Sequence, residues 1–390
     1  MELGIKTRII ILMVASALIQ ASSKDVGQQL EDSLDELIPT LLACRKLAGV
    51  SIAVVRGMET IFIKGYGRVD LDEDDAVTKN TLFGIASLSK AFTATLLGKL
   101  LATSKQRYTW DTSIRSILGN DFYLYDRIHT ENITIKDLLT HRTGYPSYNS
   151  IRHQSALNRY RLVQKMRFLK PTLPFRGQYK YNNLMYGLLT YLTELIGGDT
   201  WENLMNRHIF EPLNMTSSTF IYQIELARKD LAKSYKVDYD GNLRQVSPQY
   251  HSYWGKIGGS GSVVSNAVDI SKWLKALLNK GKAEDGSDVI PEEVIQDCQK
   301  PYESIRVSSW DIAYLRPAAP VSYTHFSYGL AWRIGFYRGW RTIHHTGTSM
   351  GYLGQITLVP DLGLGIFTSL TGDDPGYTSR RHIHYMLWIC

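Results

Sequence analysis

The chain has 390 residues, of which 44% are hydrophobic and 21% are charged. This composition excludes an intrinsically disordered or collagen-like chain, and the length suffices for one large domain or two smaller ones. Its 44 Lys and Arg residues exceed its 37 Asp and Glu residues, which gives a net charge of +7. Because no long run of like charges concentrates that excess, we do not expect a nucleic acid as partner.

Residues 1–23 have the pattern of a secretory signal peptide. Two basic residues precede an uncharged, mostly apolar stretch over residues 9–23 that ends in small side chains. A membrane-spanning helix needs about 20 apolar residues, more than this stretch has. We therefore predict cleavage after Ala21 or Ser23 and a secreted chain without a stable membrane span. An uncleaved signal anchor and a mitochondrial presequence are the alternatives.

The cysteines and glycosylation triplets say little about the fold. Cys44, Cys298 and Cys390 are too few for a disulfide framework, have no metal-like spacing, and can form at most one bridge. Two N-glycosylation triplets, at Asn132 and Asn214, are compatible with secretion from a eukaryotic cell.

The first predicted elements are a helix and a hairpin. Apolar residues at helical spacing predict an amphipathic helix over residues 28–47. Two β-rich runs, residues 50–55 and 60–67, follow it and are separated by a glycine turn. This arrangement predicts an antiparallel sheet with a helix packed on it.

The remaining chain divides into a helical middle and a β-rich end. The best helices of the middle, which spans about residues 106–254, are residues 133–139, 186–196 and 201–209. The β-rich runs of the last third are residues 328–334, 342–345, 354–359 and 363–370. We therefore predict one α+β domain over residues 24–390. Its sheet comes from residues of about 28–105 and 255–390, and the helical middle is an insertion.

Ser87 and Lys90 stand three residues apart where a helix is predicted to begin. Residues at this spacing lie on one helix face, so their side chains would touch. A serine hydroxyl becomes a nucleophile when a base takes its proton, and a desolvated lysine can do this. The pair therefore indicates a nucleophilic serine. The alternative is a helix-capping serine followed by a surface lysine.

Tyr181 and Asn183 flank one residue in the loop before another predicted helix. A phenol beside a lysine ammonium has a stabilised phenolate and can exchange protons, while an asparagine amide can bind a substrate carbonyl. A chain with 24 tyrosines also forms aromatic loops that have no catalytic role.

The consecutive residues His345, Thr346, Gly347 and Thr348 leave a predicted strand. A glycine at a strand edge lets a substrate backbone approach closely, and a backbone N–H there can stabilise an oxyanion together with that of Ser87. A metal site formed by the adjacent residues His344 and His345 is disfavoured, because neighbouring strand residues point to opposite faces.

Two other patterns suggest different chemistry. The G-x-S-x-G sequence around Ser349 matches a nucleophile elbow, in which Asp373 and His382 would have to be the acid and the histidine of the triad. That motif requires a helix after the serine, whereas strand, turn and strand are predicted here. The glycine-rich residues 258–262 lack the lysine of a phosphate loop and predict a tight turn before a helix over residues 266–278.

The order of S-x-x-K, then Y-x-N about 90 residues later, then H-x-G near the end resembles the serine beta-lactamase and penicillin-binding protein superfamily. The similarity is greatest to the branch with class C beta-lactamases, D-aminopeptidases, some esterases and the animal beta-lactamase-like proteins. It covers about residues 30–370. Further stretches typical of that branch are residues 81–87, 133–144, 212–215 and 258–262.

The resemblance implies roles for the catalytic positions. Ser87 would be the acylated nucleophile, with Lys90 as its proton partner. Tyr181 would be the general base for acylation and for the deacylating water. The backbone N–H groups of Ser87 and Thr348 would form the oxyanion hole, and no metal or other cofactor is needed.

The same resemblance implies substrate-binding positions. Asn183 would bind a substrate amide, while Thr346 and Gly347 would line the site beside His345. Many relatives have lysine at the position of His345, so this residue would supply a conditional positive charge facing a substrate carboxylate. The superfamily also usually has a longer C-terminal helix than residues 381–390 provide, so a fragment, splice form or trimmed domain is expected.

The sequence thus predicts a secreted serine hydrolase that forms an acyl-enzyme on Ser87. Its partner would be a small-molecule or peptide substrate, namely an ester, a peptide or a cyclic amide. The alternative is a catalytically silent scaffold or binding protein that keeps the fold.

Overall fold

The computed structural model describes residues 23–154, 156–306, 323–374, 379–380, 383–384 and 387. The predicted signal peptide before residue 23, Cys390 and His382 lie outside these ranges. The α-helices are α1 Ser23–Arg45, α2 Ser89–Thr103, α3 Ile114–Leu118, α4 Arg127–Asn132, α5 Ile135–Leu139, α6 Arg159–Lys165, α7 Asn183–Gly197, α8 Trp201–Met205, α9 Gln249–Ser252, α10 Ala267–Leu278 and α11 Glu292–Cys298. The strands are β1 Leu47–Arg56, β2 Glu59–Gly67, β3 Phe83–Gly84, β4 Thr219–Phe220, β5 Tyr235–Val237, β6 Leu243–Gln245, β7 Val263–Ser265, β8 Glu303–Ser304, β9 Tyr323–Tyr328, β10 Arg333–Tyr337, β11 Trp340–Ser349, β12 Tyr352–Val359 and β13 Leu364–Gly372.

An eight-stranded antiparallel sheet joins the two ends of the chain. Its strand order is β2-β1-β13-β12-β11-β10-β9-β8, so the N-terminal hairpin pairs with the last strand. Val50 of β1 lies opposite Leu370 of β13, and the pairing continues along both strands. Helices cover the sheet, and ten of the eleven α-helices given above lie between β2 and β8. The predicted α+β fold is confirmed.

Both faces of the sheet are covered, which explains the sequence of β1. Nine of its ten residues are buried, because alternate side chains enter two different cores. Val50, Ile52 and Val54 pack with α1, whereas Ala53 and Val55 belong to the larger core that contains α10. The predicted apolar stripe of α1 is confirmed at Leu30, Leu34, Ile38 and Leu41.

The run predicted as one strand over residues 328–334 is wrong, since the structure divides it. β9 ends at Tyr328 and β10 begins at Arg333. Between them, Gly329 N–H donates to the Trp332 carbonyl at 2.7 Å, and Ala331 has a φ of +71°. A tight turn therefore reverses the chain at this point.

Within the described ranges, no helix is both long and apolar enough to cross a membrane. Cys44 is exposed and Cys298 is buried, and both are free thiols. The side chains of Asn132 and Asn214, which carry the two glycosylation triplets, are exposed.

Candidate active site

Ser87 lies in a single 3₁₀ turn, Ala86–Leu88, between β3 and α2. Ala86 has a φ of +49°, a left-handed conformation that residues with a Cβ rarely adopt and that often marks functional sites. The Ser87 side chain caps neither this turn nor α2. Ser89 has the structural role instead, since its hydroxyl donates to Ala86 O at 2.7 Å and accepts from Val263 N at 2.9 Å. The capping alternative for Ser87 is therefore wrong.

Lys90 is fully buried next to Ser87. Its Nζ lies 3.1 Å from Ser87 Oγ, 2.8 Å from Asn183 Oδ1 and 2.6 Å from Ser260 O. Burial lowers the pKa of the Lys90 amine well below its ordinary 10.5. A neutral amine has two N–H donors and one lone pair. The two donors match Asn183 and Ser260, so the lone pair faces a hydroxyl that can donate a proton.

Tyr181 and Asn183 reach this amine from the start of α7. The side chain of the intervening residue, Asn182, accepts from Met185 N at 3.1 Å and so caps the helix. The Lys90 Nζ lies over the Tyr181 ring, 4.8 Å from the ring centre. Asn183 Oδ1 accepts a hydrogen bond from Lys90 Nζ, and Asn183 Nδ2 donates to Asn149 Oδ1 at 3.0 Å.

Gly347 packs directly beneath the turn that carries Ser87. A Cβ added at Gly347 would lie only 2.3 Å from Ile85 O and 3.3 Å from Ala86 Cβ. Only glycine therefore allows β11 to approach the turn this closely. Along the strand, Thr346 is half-buried and Thr348 is exposed, and because side chains alternate, both point to the face of β11 opposite the Ser87 turn.

His345, predicted to supply a conditional positive charge for a substrate carboxylate, is buried. Its Nε2 lies 2.9 Å from the Tyr328 hydroxyl, and its Nδ1 lies 2.8 Å from Thr346 O. One neutral tautomer satisfies both contacts, with Nδ1–H donating and Nε2 accepting. Burial lowers the pKa of His345 well below 6.5. The ring is therefore a neutral part of the wall of the site.

One edge of β11 is open near the cleft in the part of the chain that the structure describes. β12 pairs with β11 as far as Ser349, but β10 pairs with it only as far as His344. The backbone from His345 to Ser349 thus faces the cleft on one side. Such an edge can hydrogen-bond an extended backbone.

The competing motifs do not form sites. Ser349 ends β11, and after two residues β12 begins, so the helix that a nucleophile elbow requires is missing at this point. Asp373, its forced acid partner, is paired with Lys236 at 2.9 Å. Among the described residues, no group of three or more His, Cys, Asp and Glu side chains could hold a metal ion.

The glycine-rich segment does more than the predicted tight turn. Residues Tyr253–Ser260 form two short 3₁₀ segments that meet at a kink at Ile257, and a turn follows in which Gly261 N donates to Gly258 O at 3.1 Å. The predicted helix is α10, and β7 lies between this turn and that helix. Ser260 O accepts from the Lys90 amine at 2.6 Å. The N–H of Gly259 donates to Thr190 Oγ1 at 3.0 Å and holds the segment in place. Backbone carbonyls carry no residue-type signal, which is why the motif search missed this contact.

His141 is a second residue that the residue-by-residue reasoning missed. Its Nδ1 accepts from Asn182 N at 3.0 Å, and its ring centre lies 4.3 Å from that of Tyr181. His141 O also accepts from Lys180 N at 2.8 Å. It therefore fixes the segment that carries Tyr181 and Asn183. Its only sequence signal was its place in residues 133–144, a stretch typical of the superfamily.

Comparisons with known proteins agree with this geometry. A family model described as "Beta-lactamase" matches residues 34–387. The chain is 31% identical over 379 residues to "Unguisins hydrolase ungD'" of Aspergillus campestris, covering 94% of this chain and 66% of the relative. It is 30% identical over 336 residues to "Unguisins hydrolase ungD" of Aspergillus violaceofuscus, covering 83% of this chain and 58% of the relative. The chain thus spans less than two thirds of the length of these fungal relatives.

One further relative and one solved structure are matched over most of their own length. Gigasin-6 of Magallana gigas is 30% identical over 261 residues, covering 66% of this chain and 86% of the relative. Among solved structures, the octameric penicillin-binding protein homologue from Pyrococcus abyssi has a TM-score of 0.72 at 23% identity, covering 91% of this chain and 77% of that one. This structural likeness shows the fold.

Proposed function

Because the chain belongs to the beta-lactamase family, we propose that it is a serine hydrolase that forms an acyl-enzyme on Ser87. One observation carries this proposal: the buried Lys90 amine lies 3.1 Å from Ser87 Oγ and has a lowered pKa. A lysine in this state is a base at the right distance to activate the hydroxyl. The family and its relatives named hydrolases support the same reaction class.

Acylation starts when Ser87 Oγ attacks a carbonyl carbon and Lys90 accepts the hydroxyl proton. The Oγ–C bond forms while the carbonyl π pair moves to the oxygen, and the N–H groups of Ser87 and Thr348 stabilise this oxyanion. The carbonyl then re-forms and the bond to the leaving alcohol or amine breaks. Tyr181, next to Lys90, returns the proton to that group.

Deacylation repeats these steps with water as the nucleophile. Tyr181 passes its phenol proton to Lys90 and takes a proton from the water, the new C–O bond forms, and the bond to Ser87 Oγ breaks as Lys90 returns its proton to that oxygen. The products are a carboxylic acid and the restored serine. In this scheme Lys90 is the first base for acylation, because its contact with Ser87 is direct.

The site favours substrates with an amide backbone. The open edge of β11 offers backbone hydrogen bonds, and Asn183 Nδ2, which donates one N–H to Asn149 Oδ1, has a second N–H that can donate to a substrate carbonyl. Neutral His345 adds no charge for a carboxylate. We propose peptides and cyclic amides as the first substrates to test, with esters beside them. Unguisins join this panel because two relatives are named for their hydrolysis.

An activity-based probe tests the proposed site. A fluorophosphonate or penicillin probe should label the protein, and Ser87→Ala should abolish labelling. Ser349→Ala is the matched control, since it removes another serine hydroxyl on β11 and should label normally. Labelling that is lost in Ser349→Ala and kept in Ser87→Ala would refute the assignment. A folded protein that takes up no probe would favour a non-enzymatic scaffold.

We also propose that the chain enters the secretory pathway, from the pattern of residues 1–23. Expression in a eukaryotic cell should release the protein into the medium with an N-terminus at Ser22 or Lys24. N-terminal sequencing checks this. Retention of Met1 on a membrane-bound product would instead show a signal anchor.

A further inference from the structure

A buried ion pair lies behind β11, on the far side from the Ser87 turn. Arg380 and Asp374 are each 1% exposed, and Arg380 Nε donates to Asp374 Oδ2 at 2.9 Å. Asp374 Oδ1 also accepts from Ser379 N at 2.7 Å. Desolvating two charges costs about as much as their attraction returns, so stability alone is a weak reason for such a pair.

The Arg380 guanidinium donates to the backbone of β11, the strand that carries Thr348. Arg380 Nη1 lies 2.5 Å from Gly347 O and 3.1 Å from Gly354 O, the carbonyls of two residues that face each other across β11 and β12. The same nitrogen lies 3.3 Å from Thr348 Oγ1. The ion-paired guanidinium therefore places a cationic N–H donor against the carbonyl of the Gly347–Thr348 peptide group.

The orientation of this peptide group follows from the strand pairing. A two-residue turn joins β11 to β12, and Ser349 lies opposite Tyr352. Hydrogen-bonded pairs alternate along an antiparallel ladder, so Gly347 and Gly354 form the next such pair and Gly347 O points towards β12. In a trans peptide the N–H points the opposite way. Thr348 N–H is thus directed to the edge of β11 that β10 leaves open after His344.

We propose that Arg380 is a positioning residue that strengthens Thr348 N–H as an oxyanion donor by polarising the peptide group they share. This inference rests on the proposed acyl-enzyme mechanism. A donor on a carbonyl withdraws electrons from the amide and makes its N–H a stronger donor, by about 10–30% for each bond in a hydrogen-bonded chain. Since one oxyanion donor is worth about 10²- to 10³-fold in rate, loss of the Arg380 charge should slow acylation roughly two- to tenfold.

The acyl carbonyl itself reports this effect. Infrared difference spectra of the protein acylated by a penicillin or activated ester with a ¹³C-labelled carbonyl give the C=O stretching frequency in the oxyanion hole. The main variant is the neutral pair Arg380→Gln with Asp374→Asn, which keeps hydrogen-bonding groups without leaving an unpaired charge. Its stretch should move to higher wavenumber, together with the slower acylation. Arg380→Lys, which keeps a charge, should stay closer to the wild type.

Ile38→Ala is the control for general loss of stability. Ile38 is fully buried between α1 and the sheet and belongs to a different core cluster from Ser87. This variant should be destabilised while its carbonyl stretch stays unchanged. If Arg380→Gln alone fails to fold, the double variant Arg380→Gln with Asp374→Asn tests the role of Arg380.

Three results would overturn the inference. The neutral pair could show the wild-type stretch and rate, or Ile38→Ala could show the same shift as the neutral pair. Either outcome refutes the role of Arg380 and leaves the acyl-enzyme on Ser87 intact. A wild-type protein that gives no acyl carbonyl band refutes the proposed function, and this inference with it.

Discussion

Replacing Gly347 by alanine tests whether the contact between β11 and the Ser87 turn keeps the nucleophile in place. The new Cβ would lie 2.3 Å from Ile85 O, whereas ordinary contacts begin at 3.4 Å. The two segments must therefore separate by about 1 Å, because a backbone oxygen cannot rotate away as a flexible side chain can. Gly347 does not have a positive φ, so the effect of the substitution is purely steric.

A displacement of this size acts on both stability and catalysis. Misplacing a reacting group by about 1 Å can cost roughly 10²-fold in rate. Overpacking typically lowers the free energy of unfolding by about 1–3 kcal/mol. We therefore expect Gly347→Ala to remain folded at 25 °C and to be acylated about 10²-fold more slowly.

The assay is the rate of probe acylation at saturation, with the free energy of unfolding measured by urea denaturation. Gly255→Ala is the matched control, because a Cβ there meets its nearest neighbour, a Tyr222 ring carbon, at 3.6 Å. Gly255 also lacks a positive φ, and its variant should be acylated within about twofold of the wild type. If folded Gly347→Ala is acylated at the wild-type rate, the packing of β11 does not position Ser87.

Three further predictions follow from single residues. The acylation rate should rise with pH through an ionisation well below 10.5, because neutral Lys90 is the active form, and Lys90→Met should lose this pH dependence. Ala86→Gly should relieve the positive φ and raise the free energy of unfolding by up to about 1 kcal/mol in urea titrations. Burial lowers the pKa of His251 to about 4, so as the pH falls below 6.5 this histidine is protonated in the unfolded chain before it is protonated in the folded one. The free energy of unfolding should therefore fall by about 3 kcal/mol between pH 6.5 and 4 because of this group, and this fall should be smaller in His251→Gln.

Local patterns in the sequence were enough to predict the elements at the ends of the chain. The helix predicted over residues 28–47 is α1, and the hairpin is β1 and β2, with shifts of a few residues at their ends. Apolar periodicity indicates which side chains are buried, and α1 and β1 bury theirs as the pattern requires. Ser87 and Lys90 were also predictable as neighbours, since a three-residue spacing in a helix decides their proximity without help from the rest of the fold.

Contacts across long sequence distances could not be predicted in the same way. Ser260 O reaches Lys90 from 170 residues away through a backbone atom, which no residue-type pattern reveals. The turn at Ala331 depends on a positive φ in a residue that ordinarily avoids it. Arg380 acts on Gly347 from a segment that carries none of the three motifs. In each case tertiary packing decides the local conformation or the contact.

A sequence motif can predict where a residue lies without deciding whether its side chain is charged, as His345 shows. The H-x-G pattern places a nitrogen-bearing side chain at the right strand edge, but packing decides whether it is charged. His345 is buried beside Tyr328, and this burial is the main reason why its pKa lies well below 6.5. Charging the ring would remove a cation from water, so the neutral ring is the stable state. If the backbone of β11 and the Asn183 amide bind the substrate as proposed, we expect binding to vary little with salt, because neither group is charged.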